Sequence, residues 1–165
     1  MSWPSIALLT FVTLQRLAEL VYARHNTAAL LARGAREYAA EHYPFMVATH
    51  AAWLIGLWFL AIGRPVDPLW FVLFMVLQAM RLWVLATLGE RWTTRIIILP
   101  GAALVTKGPY RFLSHPNYAV VVGEIAVLPL AFGMPLYAVI FSLLNGIILA
   151  IRIHAENACL KQSTA

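Results

Sequence analysis

Long apolar runs and short polar ones alternate along the chain. The apolar runs cover residues 3–22, 44–62 and 68–88, and a still longer one covers 118–152. A helix that crosses a bilayer needs about 20 mostly apolar residues. The last run is interrupted at LPLAFGMPLY, where Pro129, Gly133 and Pro135 each disfavour a continuous helix. It therefore divides into a short fourth span, 118–132, and a longer fifth, 135–153. The fold class predicted is all-α, a polytopic membrane helical bundle of about five transmembrane helices. The fourth is short enough to be kinked or tilted, or to dip into the bilayer only.

Composition agrees with the pattern. Hydrophobic residues make up 62% of the 165 and charged ones 12%, against about 25% charged in soluble domains. A soluble unit of this size has too little interior to hide so much apolar surface, so an integral membrane protein is expected. The first residues lack a basic start and a small-residue cleavage site, so they read as a first span rather than a cleaved signal. The single Cys159 gives neither an intramolecular disulfide nor a metal motif.

The net charge of +5 reports loop positions rather than a nucleic-acid partner. With five spans, nine basic residues fall on one side: Arg24, Arg33, Arg36, Arg91, Arg95, Lys107, Arg111, Arg152 and Lys161. Arg64 alone falls on the other side, and Arg16 and Arg81 sit within spans. Basic loops stay in the cytoplasm, which puts the N-terminus outside and the C-terminus in the cytoplasm. Four or six spans scramble the segregation.

Two loops on the basic side carry information. In ARHNTAALLARGAREYAAEHY, Leu30, Leu31 and Ala35 predict an amphipathic piece at the interface, with Gly34 as a break. ERWTTRIIILPGAALVTKGPYRFLSHPN is long for so small a protein and too apolar for disorder. Its β-branched RIIILP predicts an extended stretch along the membrane surface.

The second loop ends on candidate chemistry. Gly108-Pro109 and Pro116 force turns, and Pro116 pushes His115 out of the helical region. A helix then starts at Pro116 or Asn117, whose free amides suit an anion, with His115, Tyr110 and Tyr118 around it. The plain alternative is a membrane-entry turn with tyrosines in the interface. Glu124 lies two turns further on, inside a span, where an ionisable group faces a partner or a cavity. Arg16, Glu19 and Arg81 raise the same question, and an interhelical ion-pair network is the structural answer to it. Arg16 and Glu19 share a helix face. Arg152 and Glu156, four apart at the end of the fifth span, offer a donor fork and an acceptor, or one surface salt bridge. No dinucleotide or Walker loop is present, and the five histidines have no tight metal spacing.

LVTKGPYRFLSHPNY followed by RIHAENACL resembles the isoprenylcysteine carboxyl methyltransferase family of integral membrane methyltransferases. The family pattern falls on Leu104, Val105, Gly108, Tyr110, His115, Pro116, Tyr118, Arg152 and Glu156. RLAEL, HYPFMV and LGERWTTRIIILPGA are similar to a bacterial subgroup associated with O-methylation of phenolic lipids and alkylpyrones. Ser114 stands where the family has an arginine, and Ala102 where it often has a histidine.

The resemblance implies one methyltransferase domain over 1–165 that uses S-adenosyl-L-methionine. It implies a catalytic pair, Arg152 and Glu156, with the other motif residues and Glu124 at the cofactor. It also implies a lipophilic acceptor entering from the bilayer of a bacterial inner membrane, no nucleic-acid partner, and an active site facing the cytoplasm. The His-Pro-Asn-Tyr turn with Gly123-Glu124 is also similar to NADPH-dependent membrane sterol and steroid reductases. A small transporter or scaffold built on the intramembrane charges is the non-enzymatic alternative.

The charge asymmetry makes the first prediction. A reporter fused to the C-terminus is active only in the cytoplasm; activity on the outer face overturns the five-span arrangement.

Overall fold

A computed structural model describes residues 3–163, with side chains through Cys159; the Lys161 side chain of the charge count lies outside the described residues. Five helices and a two-stranded ribbon are present. They run α1 (Trp3–Ala32), β1 (Arg36–Tyr38), α2 (Tyr43–Leu60), α3 (Pro68–Leu88), β2 (Ile96–Ile98), α4 (Pro116–Ala131) and α5 (Pro135–Ser163). The protein is an all-α polytopic bundle in which α1, α2, α3 and α5 are each long and apolar enough to cross a membrane. The fourth helix, α4, has 16 residues, about 24 Å at the helical rise, against about 30 Å of hydrocarbon.

Proline marks the starts. Pro44, Pro68, Pro116 and Pro135 each stand in the first turn of a helix, where a missing N–H costs nothing. Asp67 caps α3 by accepting from the Leu69 and Trp70 amides at 2.9 and 3.2 Å. The break expected near Gly133 is present. Pro129 sits in the last turn of α4, and Gly133 adopts φ 66° while Met134 N–H returns to the Pro129 carbonyl at 3.0 Å.

Three expectations need revision. The first helix does not stop near residue 22; it continues to Ala32, because no proline or glycine intervenes before Gly34. Leu30 and Leu31 are thus its last turn rather than a separate interfacial piece. The turn closes with the Arg33 and Ala35 amides on the Leu30 carbonyl, both at 3.0 Å, and Gly34 at φ 88° is the break foreseen. The fifth helix runs ten residues past its expected end at 153, to Ser163. The extended RIIILP segment pairs antiparallel with β1, Glu37 opposite Ile97, so the ribbon is a small non-helical addition to the bundle.

The central element is α4, packed between α3 and α5. Its Ile125 and Leu128 join Leu9, Val12, Trp53, Leu57, Phe74 and Phe132 in the main apolar core. A Cβ on Gly123 would lie 2.7 Å from Leu77, so glycine lets α3 and α4 approach closely. The outer surface is apolar, with Phe59, Leu69 and Leu136 well exposed, as lipid-facing helices require.

Inside the bundle lies a charged knot. Glu124 is fully buried. Its Oε1 accepts from Gln78 and from Arg81 Nε, both at 2.8 Å. Its Oε2 accepts from Arg16 at 2.6 Å and from Arg81 Nη2. Glu19 takes the remaining reach of both arginines, at 2.8 and 3.2 Å. One carboxylate on α4 therefore joins α1 and α3 to it.

Removing one partner of a buried ion pair costs about 3–5 kcal/mol, because the other charge stays buried. Glu124→Ala should lose stability of that order in detergent unfolding. Asp67→Ala, which removes only a cap, should lose about 1 kcal/mol. Equal losses in the two variants would deny the knot its structural role.

Candidate functional site

The residues of the HPNY turn and the end of α5 meet at the ribbon end of the bundle. Pro116 holds His115 outside the helix, at φ −132° and ψ 64°. The His115 carbonyl accepts from the Tyr118 and Ala119 amides at 3.1 and 3.2 Å. Pro116 has no N–H to give, so the anion site expected at this helix start reduces to the Asn117 amide. The Asn117 side chain accepts from Trp92 Nε1 at 3.4 Å.

Glu156 is the meeting point. Tyr118 Oη donates to its carboxylate at 2.8 Å, and His115 Nδ1 stands 3.9 Å from the same oxygen. The His115 and Tyr118 rings stack with centroids 5.4 Å apart. Burial, with the negative charge of Glu156 behind it, pushes the Tyr110 phenol up to about 12. Tyr110 therefore keeps its hydroxyl hydrogen at neutral pH, and can donate through it as well as accept at its oxygen. Three residues of one segment, Tyr110, His115 and Tyr118, thus surround a carboxylate from a distant one.

Arg152 lies one helical turn before Glu156 but does not pair with it. It is buried, and its Nη2 donates to the Thr94 carbonyl at 3.0 Å. Its Nε is buried without a partner. The surface salt bridge allowed by the spacing is therefore not what forms. The Thr94 carbonyl was not foreseen, and its position depends on the ribbon. Tyr43 Oη lies 3.1 Å from Thr94 Oγ1. Arg95, next along, bonds Glu37 at 2.7 Å and covers the Tyr43 ring.

A second frame holds the loop from below. The Asn26 side chain donates to the Gly89 and Trp92 carbonyls at 3.1 and 2.8 Å, and Tyr22 stacks on Trp92. Asn26 carried no motif signal, and Trp92, within LGERWTTRIIILPGA, had no role assigned there; their contacts reveal both. Gly108 sits at φ +59°, where a Cβ would also run into the Thr87 side chain.

The other predicted residues divide. Pro116 is buried at the site, as is the turn-forming Pro109 beside it in the loop. Leu104 is exposed and Val105 half-buried, and neither bonds to the Glu156 cluster. Glu124 does not join the cluster either, because Arg16, Gln78 and Arg81 occupy its carboxylate. A cavity of about 340 Å³ between Val66, Asp67 and Phe132 lies at the opposite end of the bundle, remote from this chemistry.

The isoprenylcysteine carboxyl methyltransferase family model matches residues 70–162. These include α4, all but the last residue of α5 and every residue of the Glu156 cluster. The Bacillus subtilis (strain 168) protein YpbQ, itself uncharacterized, is 36% identical, with 98% of each chain covered. No solved structure gives a significant match.

Gly108→Ala should cost about 1–2 kcal/mol from backbone strain alone, plus the clash with Thr87. Combining it with Thr87→Ala should recover the clash but not the strain. Thermal unfolding of the single and double variants checks this; a neutral Gly108→Ala would show that the turn is not held as described.

Proposed function

Because the chain belongs to the isoprenylcysteine carboxyl methyltransferase family, we propose that this membrane methyltransferase transfers a methyl group from S-adenosyl-L-methionine to an oxygen of a lipophilic acceptor. The observation that carries the proposal is the convergence of His115, Tyr118 and Tyr110 on Glu156, across 38 residues of sequence between Tyr118 and Glu156. Family membership favours this reading over the reductase alternative.

The residues fit the donor. When bound, S-adenosyl-L-methionine supplies an electrophilic methyl group on a sulfonium. The stacked His115 and Tyr118 rings and the Tyr110 ring offer faces that attract such a cation. The orphaned Nε of buried Arg152 lacks an acceptor, and an acceptor oxygen would satisfy it. Glu156 is half-buried and takes the proton of a phenol or enol, while Tyr118 holds its carboxylate in place. A carboxylate acceptor arrives without that proton. Much of the rate then comes from positioning, since methyl transfer needs in-line approach.

The acceptor class follows from the resemblance to the bacterial subgroup. It is a long-chain phenol or alkylpyrone, with the prenylcysteine carboxylate of the wider family as the other possibility to test. The site faces the cytoplasm of a bacterial inner membrane in this reading, and the acceptor's tail stays in lipid.

His115→Ala and Glu156→Ala should each weaken S-adenosylhomocysteine binding by about 5- to 150-fold, equivalent to contacts of roughly 1–3 kcal/mol. Isothermal titration of the purified variants measures this, and normal binding in both removes these residues from the site. With labelled S-adenosyl-L-methionine, label in ring ethers of alkylresorcinols or alkylpyrones supports the phenolic class. Label only in a base-labile ester of farnesylcysteine supports the carboxylate.

A further inference from the structure

The turn that leads into the site shows both charge and apolar surface to its surroundings. Residues 91–123 contain Arg91, Arg95, Lys107 and Arg111 but no aspartate or glutamate. Arg95 is paired with Glu37, and Arg91 donates to the Ala103 carbonyl. Among the described residues, no carboxylate lies within 4 Å of Lys107 or Arg111. Lys107 precedes and Arg111 closes a 3₁₀ turn, Gly108–Arg111, and Phe112 and Leu113 follow it directly. Phe112 is 74% exposed, and Leu113 is exposed as well.

Depth decides whether that apolar surface meets water or lipid, and three contacts between α3 and its neighbours set the depth. The Asp67 amide donates to the Ala131 carbonyl at 2.8 Å, so the end of α4 is level with the start of α3. Gly123 packs on Leu77 further along. Gly108 packs on Thr87, in the last turn of α3. From Leu77, α3 continues eleven residues to Leu88, whereas from Gly123 α4 reaches back only seven, to Pro116. The four-residue shortfall is about 6 Å along the bundle at the helical rise. With 21 residues, α3 is about 32 Å long, close to the hydrocarbon thickness. The chain therefore passes Gly108 at the hydrocarbon boundary and descends below it before α4 begins. Phe112 and Leu113 stand on that descent.

The backbone suits an apolar layer. The Phe112 and Leu113 amides both return to the Pro109 carbonyl, at 3.1 and 3.2 Å, and the Tyr110 amide to the Lys107 carbonyl at 3.2 Å. These groups need no water as partners. The Arg111 guanidinium lies 5.9 Å from the centre of the Phe112 ring, a charge beside an apolar wedge. Long basic side chains lay their stems on apolar surface and keep their charges at headgroup level, where anionic lipids attract them.

We propose that Phe112 and Leu113 insert between acyl chains at the ribbon end of the bundle, and that Lys107 and Arg111 hold the headgroup of an anionic bilayer phospholipid. The lipid is a structural partner, not a methyl acceptor, and the proposal does not depend on the methyltransferase reading. It fastens from outside the segment that runs into His115.

Two measurements on the full-length protein test it. For depth, a bimane label is placed at Phe112→Cys or, as control, at Arg33→Cys just past the end of α1, each combined with Cys159→Ser. The bilayers contain phosphatidylcholine brominated on its acyl chains. Quenching at position 112 should be at least threefold that at position 33; equal quenching overturns the insertion. For the headgroup, native mass spectrometry in a nonionic detergent compares binding of dioleoyl phosphatidylglycerol and dioleoyl phosphatidylcholine. The unaltered protein should bind the phosphatidylglycerol at least fivefold more tightly. Lys107→Gln with Arg111→Gln should bring the two lipids within twofold of each other. Arg33→Gln with Arg36→Gln removes the same charge from other loop positions and should keep the preference.

A preference unmoved by the Lys107 and Arg111 changes overturns the proposal. An equal fall in both pairs assigns the lipid to net charge alone and overturns it too. Thermal unfolding of each variant reports that it is folded. S-adenosylhomocysteine binding in detergent should be the same with and without the Lys107 and Arg111 changes. Its loss in that pair gives these charges to the cofactor rather than to lipid, which also overturns the proposal.

Discussion

Glu124 is a carboxylate inside an apolar bundle, and much of the architecture follows from the need to satisfy it. A charge at that depth is tolerated only when paired and fully hydrogen-bonded. Arg16, Gln78 and Arg81 meet the requirement from two other helices. Arg81 and Arg16 are held in turn by Glu19. The knot fixes the rotation of α4 about its own axis, because only one orientation brings Glu124 to both arginines. It thereby also fixes where the first turn of α4 points.

That first turn carries Tyr118 and follows directly on His115, six and nine residues from Glu124. The same rotation that buries Glu124 brings Tyr118 to Glu156 on α5. The ribbon supplies the other half of the frame. Pairing β1 with β2 ties the loop after α1 to the loop after α3. It leaves Thr94 where its carbonyl receives Arg152. Asn26 and Trp92 brace the same loop from α1. A structural ion-pair knot and a candidate site thus share one helix, with the knot deeper in the bundle and the site at its end.

Arg152 differs from Arg16 and Arg81 in its partners. Their charges are matched by Glu19 and Glu124, which makes them packing elements. Arg152 donates to the Thr94 carbonyl and stands beside the Tyr118 phenol that bonds Glu156.

The one-dimensional pattern was enough for the class and most of the element list. Apolar run length is set by bilayer thickness, and proline and glycine act through their own backbone geometry, so neither needs a partner to be read. The helix starts at Pro44, Pro68, Pro116 and Pro135 and the break at Gly133 are of this kind, and the Arg16–Glu19 pair follows from helical spacing alone. The Glu124 contacts, the ribbon, the Thr94 carbonyl and the burial of Arg152 are not. Each depends on which segments far apart in the chain come together, and pairing across a fold leaves no period in the sequence. Spacing put Arg152 and Glu156 on one face of α5, but only the tertiary structure gave one a carbonyl and the other a tyrosine, because the partners come from other elements.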